Sequence, residues 1–247
     1  MAPHDRRVRV TARPGAVDEL LPEQACRLAD EPLVILVENR HSDGPFVERV
    51  VKELDNSLRG LWGRGGSPIR FDSVGGRGQM SEEVIARTRG LPYRPRLVAV
   101  IDSDRKGPGD TVSPEARALR RACEERGLSC WVLAKREAEN YLPRMLLDGR
   151  QDADARHERR VEAWDTLNDD QKDFFDMKGG LAERPSDIER DLFDGLPEAE
   201  REILTVGFGT NVHQCWILWQ VRGIRDELLA RGRGDLEHGV ELIRKEV

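Results

Sequence analysis

Three runs of consecutive apolar residues punctuate a chain that is otherwise dense in charge: Leu33-Val34-Ile35-Leu36-Val37, Leu97-Val98-Ala99-Val100-Ile101 and Cys130-Trp131-Val132-Leu133-Ala134. Short, uninterrupted and largely β-branched or aliphatic, they read as strands buried on both faces, the pattern of a parallel sheet. Between the first two, Phe46, Val50, Leu54 and Leu58 recur at helical spacing, with Val47 and Val51 widening the stripe. Ser42 or Asp43 supplies the N-cap and Pro45 lies in the first turn, which predicts the crossover helix of a βαβ unit. A shorter strand from Ile69 to Val74 and helices from Ser81 to Gly90 and from Pro114 to Arg126, the last closed by Gly127, complete the alternation. The fold class predicted is α/β, a Rossmann-like, mostly parallel sheet flanked by helices.

Outside this stretch the pattern changes. Residues 1–31 form a polar lead-in, with an edge strand at Val8–Thr11 and a short helix at Val17–Leu21. Residues 32–145 hold the sheet. Residues 146–247 read as an α-helical extension packed on it: Val161, Trp164 and Leu167 mark one helix. Phe174, Phe175 and Met177 mark a second that ends at Lys178-Gly179-Gly180, and a third starts at Leu196-Pro197-Glu198. A long tryptophan-bearing helix is predicted over 212–231 and a last one over Asp235–Glu246.

The polar residues that follow the strands carry the candidate chemistry. The first strand ends on Glu38, the second on Asp102-Ser103-Asp104, and the third leads into Lys135-Arg136-Glu137-Ala138-Glu139-Asn140. In open α/β sheets ligands bind beyond the carboxyl ends of the strands. Alternation points Asp102 and Asp104 to one side. Carboxylates so close repel, and oxygen-only donors suit Mg²⁺ or Mn²⁺, one or two ions. The plainer reading of Asp-x-Asp alone is an Asx-type turn capping a strand. Arg105 and Lys106, just beyond, could touch a phosphate. The Gly- and Arg-rich loops of residues 60–80 either flank a strand as simple linkers or follow a nucleic-acid backbone through Arg64, Arg77 and a stacking Trp62. No Gly-Lys-Ser/Thr follows their glycines, so neither is a P-loop.

Composition narrows the function classes. A formal charge of −6 with 35% charged residues over 247 positions excludes a nonspecific basic coat for nucleic acid, though not a nuclease, whose ions meet the phosphate locally. The cysteines Cys26, Cys123, Cys130 and Cys215 show no C-x-x-C spacing and read as reduced thiols. No apolar stretch approaches the length of a membrane span, and no signal-peptide core follows the first residues, so the expectation is a soluble cytoplasmic protein without a membrane partner.

The order of a Glu after one strand and Asp-x-Asp after a later one resembles the TOPRIM domain, and Arg136-Glu137-Ala138-Glu139-Asn140-Tyr141-Leu142 resembles the overcoming-lysogenization-defect (OLD) nucleases and their relatives in bacterial phage defence. The family pattern has a Gly after the Glu and an Asp four positions on; here Asp43 stands five positions after Glu38, with no Gly between. The resemblance, over residues 32–145, implies a Mg²⁺-dependent endonuclease acting on DNA or RNA. Glu38, Asp102, Asp104 and Glu139 would be catalytic metal ligands, Glu137 the alternate to Glu139, and Asp43 a further ligand. Lys178, whose plainer role is a charge at a helix C-terminus, would assist phosphate chemistry, as would Arg105 and Lys106. The resemblance also implies a separate ABC/SMC-type ATPase partner and a role in antiviral defence, and is compatible with a homodimer. The other readings are a non-catalytic TOPRIM-like metal-binding interaction module and a receiver-like domain, for which no phosphoacceptor arrangement is found. Strand passage is disfavoured, because Tyr93 and Tyr141 are the only tyrosines and neither lies in a winged-helix segment.

Overall fold

The structure, a computed structural model, describes residues 8–16, 19–62, 67–150 and 155–247, with the side chain of Arg77 outside that description. Two short strands, β1 (Arg9–Val10) and β2 (Glu19–Leu20), pair in parallel ahead of α1 (Pro22–Asp30). The chain then alternates through β3 (Leu33–Val37), α2 (Asp43–Leu54), the single turn α3 (Asn56–Arg59), β4 (Ile69–Ser73), α4 (Arg77–Thr88), β5 (Leu97–Ile101), α5 (Pro114–Glu124) and β6 (Ser129–Val132). From there it is helical: a 3₁₀ turn at Ala138–Tyr141, α6 (Arg144–Asp148), α7 (Ala155–Thr166), α8 (Asp169–Phe174), α9 (Asp187–Leu192), α10 (Glu198–Leu204), a 3₁₀ stretch at Val212–Ile217, α11 (Arg225–Gly232) and α12 (Asp235–Glu246). Among the described residues no helix is long and apolar enough to cross a membrane.

The main sheet has the order β4-β3-β5-β6 with every pair parallel. The chain therefore leaves β3 toward one edge and β5 toward the other. That reversal makes the carboxyl ends of β3 and β5 a topological switch point, where open α/β sheets hold their ligands. Leu36 pairs with Ala99, which brings Glu38 level with Ile101, and Asp102 follows one residue beyond at the same end of the sheet.

Both faces of the sheet are covered, which is why its two central strands, β3 and β5, are apolar and buried at every position. Leu33, Ile35, Val37, Val98, Val100, Trp131 and Leu133 point into one core. The alternate residues Leu36, Leu97, Ala99, Ile101, Cys130 and Val132 point into another, closed by Met80 and Val84 of α4 and Leu119 and Cys123 of α5. The helical extension shares the first core instead of making its own. Phe46 of α2 meets Trp131, Tyr141 and Trp216 with ring centroids 5.6, 5.6 and 5.1 Å away. Helix α12 lies so close to Trp131 that a Cβ on Gly239 would be 2.3 Å from the indole. Asp235, in its first turn, accepts from Trp131 Nε1 at 3.1 Å, from the Ala134 amide at 3.0 Å and from the Tyr141 hydroxyl, and so braces the loop that follows β6.

Several local expectations are corrected. Glu19–Leu20 is a strand, and the first helix starts at Pro22. The strand on the third apolar run, β6, covers Ser129–Val132, short of the expected Ala134. Residues 212–231 are not one helix. The buried Arg49 takes the carbonyls of Leu218 and Val221 at 3.2 and 2.6 Å, which removes them from any helical ladder, and Gly223 adopts φ +75°. Helix α8 stops at Phe174, because Asn140 Nδ2 donates to the carbonyls of Lys172 and Phe175. Lys178 is consequently not a helix C-terminal charge; it lies in a turn beyond the helix.

Candidate acidic site at the carboxyl end of the sheet

Three segments assemble the site. The first follows β5. Ser103 is fully buried, its hydroxyl donating to the Lys135 carbonyl at 2.5 Å and its carbonyl accepting from the Ser113 amide at 2.8 Å. That stitches residues 102–104 to the loop after β6 and to the start of α5. Asp102 follows the last strand residue directly. Asp104, with φ +54° and its amide donating to the Arg136 carbonyl at 3.0 Å, is past the strand. The strand alternation expected to align the two side chains therefore ends at Ile101.

The second segment is the loop after β6. Glu137 caps the 3₁₀ turn: Asn140 Oδ1 accepts from the Glu137 amide at 2.9 Å, and Asp102 Oδ1 accepts from the Ala138 amide at 3.0 Å. Glu137 and Glu139 are both almost fully buried. Their shared direction comes from this turn and not from a continued strand.

The third is the turn after α8. Lys178 Nζ lies 2.8 Å from Glu137 Oε2 and 2.8 Å from Glu139 Oε2, while the Met177 amide donates to Glu137 Oε1 at 2.9 Å. Asp176 Oδ1 accepts from the amides of Lys178 and Gly179 at 3.1 and 2.6 Å, and Arg136 holds its Oδ2 at 3.0 Å. Gly180 has φ +86°, and a Cβ there would fall 2.6 Å from the carbonyls of Leu204 and Thr205. Only glycine fits that close approach.

Electrostatics follows the geometry. Burial first, then the charges of Glu139 and Asp43, drive the Asp102 carboxyl well above the usual carboxylate range, against the pull of Lys178. Burial and Glu139 likewise push Glu137 up to about 7, again opposed by Lys178. Burial disfavours the Lys178 ammonium, but Glu139, Glu137 and Asp102 overcome this and hold it above the ordinary lysine range. One ammonium thus serves Asp102, Glu137 and Glu139, with Asp43 within reach of Asp102. The group has more carboxyls than cations, and the raised Asp102 and Glu137 hold protons in place of a second cation.

The other sequence candidates are distributed around this group. Asp43 opens α2, its carboxylate accepting from the Asn39 amide at 2.8 Å and the Ser42 hydroxyl at 2.7 Å. Glu38 is half-buried at the end of β3. Arg105 is tied to its own loop: it donates to the carbonyls of Asp110 and Ala134 at 3.1 and 3.2 Å and to that of Pro108, and packs 5.1 Å from the Phe174 ring. Lys106 is exposed and 3.5 Å from Glu189. Arg77 opens α4, and Arg64 lies outside the described residues. Sequence reasoning missed Asp176 and Asn140, which position Lys178 and the two glutamates. An Asp two residues before Lys-Gly-Gly, a side chain able to bond the amides that follow it, is the signal that could have found the first.

As carboxylate donors these residues suit a hard divalent cation. In the present arrangement, however, no three Asp, Glu, His or Cys side chains among the described residues converge as ligands of one ion. Comparison of the chain with protein-family models, with curated proteins and with solved structures returned no match.

Proposed function

We propose that the chain is a metal-dependent nuclease of the TOPRIM type that hydrolyses phosphodiester bonds in DNA or RNA. The observation that carries this reading is the convergence of Asp102, Glu137 and Glu139 around Lys178 at the switch point of a parallel sheet. Carboxyls in excess of their cations ionise only at a cost when buried, and a divalent ion with oxygen ligands compensates that cost. Asp102, Glu137 and Glu139 would hold that ion, with Glu38 and Asp43 on the β3 side of the crevice and Asp104 at its rim. Such an ion, when bound, lowers the pKa of an attacking water and stabilises charge on phosphate oxygens. The chain's own contribution is to orient the carboxylates through the Ala138 and Met177 amides and to offer cations, Lys178 and the exposed Lys106, to the phosphate. Arg105 acts through the 105–110 loop that it pins. Strand passage receives no support: Tyr141 is fully buried on Asp235, and the Tyr93 hydroxyl donates to Glu31 at 2.6 Å. By the same resemblance the nuclease would work with a separate ATPase as an antiviral effector, and capture of that ATPase by tagged protein in native extract is the expected sign of it.

Purified protein incubated with plasmid DNA and total RNA in Mg²⁺, Mn²⁺ or chelator tests the reading. We expect cleavage only with metal, slowed at least ~10²-fold by Asp102→Ala. Mn²⁺ binding without cleavage of either substrate would favour a second reading, a non-catalytic acidic module. That reading draws on Lys178, which already neutralises part of the cluster.

A further inference from the structure

Lys178 joins a rigid base to a flexible stem whose ammonium is ion-paired. Its backbone is fixed by Asp176, Arg136 and the tight packing at Gly180. Its side chain is a flexible four-carbon stem, about one-third exposed, that ends equidistant from the two glutamate oxygens. The ammonium fills the point between these two buried carboxylates. This accounts for a set of carboxylates chemically suited to an ion yet not converged on one.

We propose that Lys178 is a built-in counter-cation of the acidic site: without a divalent ion it occupies the place between Glu137 and Glu139, and an entering ion displaces it into the crevice. The inference rests on the metal-dependent reading of this site and deepens it. Metal loading and the availability of Lys178 become one event. The ammonium is free for a substrate phosphate only when the carboxylates are already neutralised, and the unloaded site is held together instead of being left to repel itself. Displacing it means breaking two ion pairs, so the native site binds metal more weakly than its carboxylates alone would.

Two measurements without nucleic acid test this. The first is Mn²⁺ titration by calorimetry at pH 8 of the wild type and of Lys178→Gln; about tenfold tighter binding by the variant is expected, since its carboxylates are unoccupied. The second needs no variant: acylation of Lys178 by an amine reagent, mapped by mass spectrometry, is expected to accelerate several-fold when Mn²⁺ saturates the wild type. Equal or weaker Mn²⁺ binding by Lys178→Gln, with Lys178 labelled no faster in Mn²⁺, would overturn the counter-cation role and leave the metal site standing. Absence of Mn²⁺ binding by both proteins would instead overturn the metal-dependent reading itself, and this inference with it.

Discussion

Two knots of partly buried charge share the 3₁₀ turn at Ala138–Tyr141, and they are near mirror images. In one, the carboxylates Asp102, Glu137 and Glu139 surround the single ammonium of Lys178. In the other, Lys135, Arg231 and Arg233 surround the single carboxylate of Asp173, at 2.5, 3.7 and 3.6 Å. The difference lies in what becomes of the surplus. The cationic knot spends its spare donors on the protein: Lys135 Nζ and Arg231 both donate to the Asn140 carbonyl, Arg231 also lies 5.2 Å from the Trp164 ring, and Arg233 reaches Asp169 at 2.7 Å. The acidic knot receives two backbone amides, from Ala138 and Met177, and keeps its excess carboxyls at the carboxyl end of the sheet, the end at which open α/β sheets hold ligands. A surplus of cations closed by carbonyls reads as structure. A surplus of anions left facing a crevice reads as a site.

Removing the centre of each knot should break the symmetry most clearly. Asp173→Asn leaves Lys135 and Arg231 buried without their counter-charge and should cost about 3–5 kcal/mol in a urea unfolding measurement. The pH dependence of stability should come next, on the order of 2–3 kcal/mol per limb. Burial and Glu139 raise Glu137 to about 7, so the unfolded chain gives up this proton first and stability falls as pH rises from about 4.5 to 7. Burial and the neighbouring Arg231, against the attraction of Asp173, lower Lys135 to about 8, so the folded protein gives up that proton first and stability rises from about pH 8 to 10.5. Thermal melts across this range should show a minimum between the two limbs, and Glu137→Gln should flatten only the acidic one. The smallest effect on folding is expected from Asp102→Asn. It keeps an acceptor for the Ala138 amide and relieves repulsion, so the melting temperature should hold or rise while any nuclease activity is lost. A large loss of stability in this variant would class the acidic knot with the structural one.

Where the sequence was legible, burial on both sides made it so. Leu33–Val37 and Leu97–Ile101 are strands over their whole apolar runs because successive residues feed opposite cores. Helices Asp43–Leu54 and Asp235–Glu246 follow from apolar spacing that needs no distant partner to be recognised, although neither N-cap residue makes a side-chain cap hydrogen bond. The acids at the strand ends could be picked out by position alone. How Glu137, Glu139 and Lys178 meet could not, because the meeting depends on Asn140 reaching across to the end of α8 and on Asp176 folding the next turn. The same holds for 212–231, where hydrophobic spacing suggests a helix that Arg49 dismantles from far away in the chain.

That grip has a consequence for the order of folding. The guanidinium of Arg49, on the first crossover helix, pairs through Nε with Glu53 one turn on at 3.2 Å, but its two terminal nitrogens find their carbonyls only at Leu218 and Val221, 169 and 172 residues later. Until the last third has been synthesised, those two nitrogens lack their carbonyl partners, and the face of α2 that carries them stays exposed to other chains. Contacts of such long range slow folding and lengthen that exposure. Arg49 is therefore a timing element as well as a tie: the half of the molecule that carries the strand-end acids is finished only when the half that brings Lys178 arrives.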